Sequence, residues 1–218
     1  MQTKGYKGLG MEGQVAKWYA KNTRKDLDEF KALAKRISAN LHEGSSVLEV
    51  APGPGYFAIE LAKAGKYKIT GLDISKTFVE LARRNGSDES VEVDFRHGNA
   101  SQMPFQDCSF DLIVCRAAFK NFAEPVAALK EMRRVLRSVG KALIIDLRRD
   151  APKETIDEYV DKMNMGAINS VVTKLTFRLM LLKRAYTRDE FNQFISESGF
   201  ENFDIQEVPI GFEIWLSK

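Results

Sequence analysis

The sequence predicts an α/β fold: a doubly wound, Rossmann-like sheet, mostly parallel, that ends in a C-terminal antiparallel hairpin. Three observations predict it. Short β-branched runs alternate with amphipathic segments; one of those runs passes into a glycine-rich turn that opens a helix; and the last two strand candidates follow one another with no helix between them. The alternation implies βαβ units wound right-handedly into a parallel sheet. The closing pair implies antiparallel pairing, because only a short turn joins it.

Taken in order, RKDLDEFKALAKRISANL reads as the first helix, with Leu27, Phe30, Leu33, Ala34 and Ile37 at helical spacing. It belongs with an N-terminal arm to residues 1–43. SSVLEVAP follows as a continuous apolar run, suited to a strand buried on both faces. GYFAIELAKAG reads as a helix, YKITGLDI as the second strand, KTFVELARRN as a helix and VEVDFRHG as the third strand. SFDLIVCRAA is the fourth strand, EPVAALKEMRRVLRSVG a helix with Pro125 in its first turn, and KALIIDL the fifth strand. After the helix TRDEFNQFISESG, the runs NFDIQEVP and GFEIWLSK form the hairpin. No repeat, low-complexity tract or linker divides the 218 residues, which read as a single domain, 1–218.

Composition narrows the functional classes. The net charge of +3, from 33 basic and 30 acidic residues, lacks the basic excess of a dedicated nucleic-acid binder. Cys108 and Cys115 make no disulfide framework, and no Cys/His cluster has metal-ligand spacing, so no metal is expected. The first residues do not read as a secretory signal, and no apolar run is long enough to cross a bilayer. A cytoplasmic protein is the expectation.

The strongest local signal is Val47-Leu48-Glu49-Val50-Ala51-Pro52-Gly53-Pro54-Gly55-Tyr56. Gly53 and Gly55 let backbone pass close to a ligand, and the amides of the following helix start favour an anionic group. Asp73 ends the second strand about 20 residues further on, where a carboxylate can grip ribose hydroxyls. Gly53, Gly55 and Ala58 also fit the dinucleotide pattern G-x-G-x-x-G/A, so the loop alone leaves a nicotinamide cofactor open. Glu49 separates the two: a carboxylate just before the loop repels a pyrophosphate but can orient the methionine end of a nucleoside.

The stretches VLEVAPGPGYF, GLDIS, GNASQMPFQDCSFDLIVCRAAFKNF and LRSVGKALIIDL, in this order from about Val47 to Leu147, resemble the class I S-adenosylmethionine-dependent methyltransferases. The likeness is strongest to the small-molecule branch that includes ubiquinone/menaquinone-type enzymes. The resemblance implies a seven-stranded methyltransferase sheet, with S-adenosyl-L-methionine as cofactor and S-adenosyl-L-homocysteine as product. It implies that the loop from Glu49 through Ala51, Gly53 and Gly55 holds the methionine part. Asp73 would hold the ribose, with Ile74 next to it also in the cofactor site; Asn99 and Ala100 would flank the adenine, and Cys115 and Arg116 would line the sulfonium pocket. Two departures stand out: Ala51 replaces the first loop glycine, and Asn99 stands where the family usually has Asp. An Asn carbonyl still accepts from the adenine amino group, without charge assistance.

Other residues bear on the alternatives. No tyrosine has a lysine four positions on, as a short-chain dehydrogenase requires; Tyr159 has Lys162 three positions on. No Asn/Asp-Pro-Pro-aromatic segment follows the fourth strand, and no Pro-Cys pair is present, so a nucleic-acid base is not the expected acceptor. A small molecule is. His42, read as ending the first helix, and His97, ending the third strand, are both read as structural, and no catalytic base is identified. That keeps a second class open, a module that binds S-adenosylmethionine without catalysis. Tyr19, in an aromatic segment ahead of the first helix, is a candidate for the cofactor's methionine end. Phe119 and Asn121 are candidates for acceptor contacts, because open α/β sheets place ligands at the carboxyl ends of strands. Residues 157–188 read as a helical cap over the acceptor pocket; its basic side chains, Lys174, Arg178, Lys183 and Arg184, could instead touch anionic lipid or an acidic substrate. Oligomeric state is not legible.

Overall fold

A computed structural model describes residues 5–7, 10–162 and 166–218, apart from the side chains at 167, 168, 178 and 180. Its centre is one seven-stranded sheet in the order β3-β2-β1-β4-β5-β7-β6. The strands are β1 (Ser46–Val50), β2 (Lys68–Asp73), β3 (Asp94–His97), β4 (Phe110–Arg116), β5 (Leu136–Leu147), β6 (Asn202–Val208) and β7 (Gly211–Ser217). β1 to β5 pair parallel, and β7 pairs antiparallel with both β5 and β6. The doubly wound sheet with its closing hairpin is the architecture the sequence predicts.

Helices cover both faces, and side-chain alternation along the strands decides which. Val47, Leu112 and Val114 pack with Phe30, Leu33 and Ile37 of α2 (Leu27–Ser38), Phe57 and Leu61 of α3 (Tyr56–Ala64) and Val79 of α4 (Lys76–Asp88). Leu48, Ile113 and Ile144 face the opposite side. There they meet Leu129 and Met132 of α5 (Pro125–Val135), and Phe191 and Ile195 of α9 (Arg188–Ser198). β6 is an edge strand with only Ile205 buried, and its polar face suits an edge left to water.

Three boundaries depart from the sequence reading. The segment ahead of the first expected helix is itself helical, α1 (Gly13–Thr23), with a face of Ala16 and Ala20 buried. The helix then expected from residue 24 begins as a short 3-10 turn and stops at Ser38, so His42 lies beyond it in the turn to β1. The helix expected to reach Gly140 ends at Val135, and Leu136–Gly140 joins the sheet. Pairing decides this last case: Leu136 pairs with Phe110 before a register shift, and a Cβ on Gly140 would sit 2.9 Å from the Asp111 carbonyl oxygen.

The segment expected as a cap holds the end of α6 (Lys153–Lys162), α7 (Ala167–Thr176), a π-helical stretch Phe177–Leu181 and α8 (Leu182–Arg184). Ile156, Val160 and Leu182 form its own small core with Ala151 and, partly buried, Leu147 and Ile210. Residues 163–165 and the Arg178 side chain of the expected basic face lie outside the described residues. Among the described residues no helix is long and apolar enough to cross a membrane.

Candidate cofactor site

The order of strands reverses beside β1, between β1 and β4, and the glycine loop leaves the carboxyl end of β1 at that point. Ala51, Gly53 and Gly55 all take positive φ, at 58°, 56° and 80°. For Gly55 the lack of a side chain is a packing requirement as well: a Cβ there would lie 2.6 Å from the Phe95 ring and 2.9 Å from Ala82. Gly71 on β2 is held to the same ring, its added Cβ 2.6 Å from Phe95. Ala51 adopts a left-handed conformation that costs a non-glycine residue roughly 1–2 kcal/mol. That explains why a glycine would suit the position.

Two carboxylates brace the loop. Asp73 Oδ2 accepts from the Gly53 amide at 2.9 Å and Oδ1 from the Ser75 amide at 2.8 Å. Each oxygen keeps a lone pair, so two hydroxyl donors remain acceptable, as a ribose diol would offer. Burial pushes the Asp73 carboxyl up to about 6, against the pull of those two amides. Glu49 is buried, with Oε2 accepting from the Ala58 amide in the first turn of α3 at 3.1 Å. Burial raises its pKa to about 8, so the group holds a proton at neutral pH.

The remaining expected residues gather around this frame. The Tyr19 ring lies 4.0 Å from where a Gly53 Cβ would be and meets Phe78 edge-on with ring centres 5.7 Å apart. Its helix is fixed by Glu12, which accepts from the Lys76 and Thr77 amides at 2.9 and 3.0 Å, and by Ser75, which donates to the Met11 carbonyl. Ile74 is partly exposed beside Asp73, and His97 reaches its carbonyl oxygen at 3.1 Å, a structural role as expected. Asn99 Oδ1 accepts from the Ser101 amide at 3.0 Å, and Ala100 is half-buried next to it. Arg116 ends β4, bonded to Glu29 at 2.8 Å and stacked over Phe30 at 4.4 Å. Cys115 is fully buried, and burial drives its thiol pKa up.

The acceptor-side candidates divide. Phe119 is a core residue, fully buried and stacked on Phe191 with centres 5.4 Å apart, which removes it as an acceptor contact. Asn121 stays at the surface of the cleft, half-buried. Between them lies a pair that the sequence reading missed. Lys120 Nζ donates to Asp146 Oδ1 at 2.9 Å, and the Lys120 amide donates to Oδ2 at 2.8 Å. The side chains are 6% and 1% exposed, so this is a buried ion pair linking the loop after β4 to the end of β5. A lone acid closing the apolar run KALIIDL was the available signal. No group of three or more possible metal ligands occurs among the described residues.

Fold and loop together define a doubly wound α/β domain with a glycine loop at its switch point. Residues 48–144 match the methyltransferase-domain family. A demethylmenaquinone methyltransferase of Deinococcus radiodurans is 36% identical over 114 residues, 52% of this chain and 47% of that protein. The methyltransferase YcgJ of Bacillus subtilis, whose function is uncharacterized, is 31% identical over 176 residues, 79% of this chain and 64% of that protein. The chain thus spans about half to just under two thirds of these two relatives. A crystal structure from Methanococcus maripaludis, described as an S-adenosyl-L-methionine-dependent methyltransferase, shares the fold with a TM-score of 0.78 and 23% identity. The match covers 100% of this chain and 97% of that one. S-adenosyl-L-methionine is the cofactor of this family, and neither the nicotinamide enzyme nor the non-catalytic module is favoured.

Proposed function

We propose that the chain transfers the methyl group of S-adenosylmethionine to a small organic acceptor, with the cofactor held across the glycine loop. The observation that carries this reading is the Asp73 carboxylate, bonded to Gly53 and Ser75 yet with acceptor capacity left on both oxygens. Asp73 and Ile74 would hold the ribose side, and Asn99 and Ala100 the adenine. Glu49, Ala51, Gly53, Gly55 and Tyr19 would hold the methionine part, with Arg116 and Cys115 beside the sulfonium. When bound, the cofactor supplies an activated methyl for in-line displacement. The chain's own residues then contribute alignment and exclusion of water; positioning of this kind supplies up to about 7–11 kcal/mol of barrier reduction. Asp73 fixes the nucleoside, and Glu49 gives up its proton to match the positive charge. The Lys120–Asp146 pair holds the loop that faces the acceptor.

Names of relatives such as the Deinococcus protein point to a demethylated quinone as their acceptor, and a quinol is the first acceptor to try here. The test is titration with S-adenosylhomocysteine and, in parallel, NADH, followed by transfer of labelled methyl to candidate acceptors. Binding of the first ligand with label in product supports the reading. Binding of NADH alone, or binding without turnover across the acceptor panel, sinks it.

A second reading, peripheral contact with anionic lipid, has one observation in its favour. Val171, Val172, Leu175 and Leu179 of α7 and the turn after it are 47–58% exposed, near the exposed cations Lys183 and Arg184. Lys174 is tied to Asp161 at 2.7 Å. Co-sedimentation with anionic vesicles at low salt supports this contact, and its absence there removes it.

A further inference from the structure

The nucleoside end of the cleft is in contact with a piece of the chain itself. Gly5, Tyr6 and Lys7 run as a short strap along the segment after β4. The Lys7 amide donates to the Asn121 carbonyl at 2.7 Å, the Ala123 amide donates to the Gly5 carbonyl at 3.3 Å, and Tyr6 bridges antiparallel to Phe122. This register sets Gly5 against Asn99, proposed for the adenine, and Ile74, proposed for the ribose side. A Cβ added to Gly5 would lie 2.6 Å from Asn99 Oδ1 and 2.7 Å from Ile74 Cδ1. A planar base between Gly5 and Ile74 needs two van der Waals contacts of about 3.5 Å each, roughly 7 Å in all. The strap backbone already touches both side chains, so strap and base compete for one space.

Tyr6 supports the same conclusion from the ribose side. Burial raises the pKa of its phenol, the Arg184 guanidinium lowers it, and the charge of Asp73 raises it again. The Tyr6 phenol thus feels the charge of Asp73, the residue proposed for the ribose. The far end of the strap is fastened outside the cleft: the Lys7 ammonium donates to the Tyr186 hydroxyl and sits 4.5 Å from the centre of that ring. Arg184 and Tyr186 belong to the end of the cap and the connection to α9.

We infer that Gly5-Tyr6-Lys7 is an internal pseudo-ligand that occupies the adenine and ribose side of the cleft and leaves when the nucleoside of the cofactor binds. The inference rests on the cofactor pose proposed above. It means that measured cofactor affinity is the intrinsic affinity reduced by the fraction of molecules with the strap withdrawn. It also means that cofactor binding frees Arg184 and Tyr186 on the acceptor side.

The opposite arrangement, a strap that stays and roofs the base, reverses the sign of every effect. The test titrates the full chain with S-adenosylhomocysteine and with adenosine, in wild type, Gly5→Val and Asp73→Ala. Trypsin cleavage after Lys7 is followed with and without ligand. Gly5→Val cannot fit between Asn99 and Ile74, so affinity and association rate should rise roughly 3- to 10-fold. In wild type the ligand should accelerate cleavage at Lys7. Weaker or unchanged binding in Gly5→Val, or protection of Lys7 by ligand, overturns the inference. If Asp73→Ala loses affinity while Gly5→Val gains none, the strap proposal alone fails. If Asp73→Ala binds as wild type does, the cofactor pose fails and the strap proposal fails with it.

Discussion

The Asp73 carboxylate is joined to the Gly53 amide by a 2.9 Å hydrogen bond, so the end of β2 and the turn after β1 are one unit, 20 residues apart in sequence. Asp73→Ala removes that brace together with the proposed ribose acceptor. Affinity for S-adenosylhomocysteine should fall about 10- to 100-fold, in line with the loss of one or two charge-assisted hydrogen bonds. The binding should also depend on pH. With the free carboxyl at about 6, protonation below that value removes acceptor capacity, so affinity falls as pH drops through 6. Calorimetric titrations between pH 5 and 8 check both statements.

Glu49 gives a second pH signature. Its free-state pKa of about 8 leaves it protonated at pH 7, and a neighbouring cation favours the ionised form. S-adenosylmethionine, which carries the sulfonium charge, should therefore release close to one proton on binding at pH 7, and S-adenosylhomocysteine fewer. Titration in buffers of different ionisation enthalpy measures the number. Equal release for both ligands would count against a place for Glu49 beside the sulfonium.

Ala51 holds a φ of 58° that glycine adopts without steric cost. Ala51→Gly should stabilise the fold by up to about 1 kcal/mol, after allowing for glycine's greater entropy loss. Thermal unfolding should show a rise of roughly 2–4 °C, the shift expected per kcal/mol in a chain of this size.

Lys120→Met strips Asp146 of its partner while leaving the carboxylate buried. Removing one member of a buried pair costs about 3–5 kcal/mol, whereas replacing both with apolar residues is often neutral. Denaturant unfolding should therefore show a large loss in Lys120→Met and substantial recovery in Lys120→Met with Asp146→Leu. If the charge on Lys120 matters only for stability, the double variant should also recover methyl transfer.

The legible parts of the fold are those whose physics is local. Buried parallel strands such as Leu112–Cys115 are continuous apolar runs, and the glycine loop, Glu49 and Asp73 announce themselves by residue type and spacing. α1 was hidden because its buried face is two alanines, while Trp18 is 67% and Val15 55% exposed. The end of α5 was hidden because LRSVG continues a helical pattern; only the pairing of Leu136 with Phe110 settles it. Lys120 and Asp146 lie 26 residues apart, and nothing in AAFKNF marks its lysine as buried. Phe119 was misplaced for the converse reason: an aromatic at a strand's carboxyl end suits a ligand contact or a core equally well.

Phe95 fills the space left by two glycines at once, Gly55 in the loop and Gly71 on β2. Its ring therefore works as a gauge that sets how low the loop sits on the sheet. The three positions cannot diverge independently: a larger residue at 55 or 71 is admissible only after the ring at 95 has shrunk. A smaller residue at 95 opens a void that nothing nearby fills. In descendants of this chain, substitutions at these sites should be found together, and the order of their arrival should run from residue 95 outward.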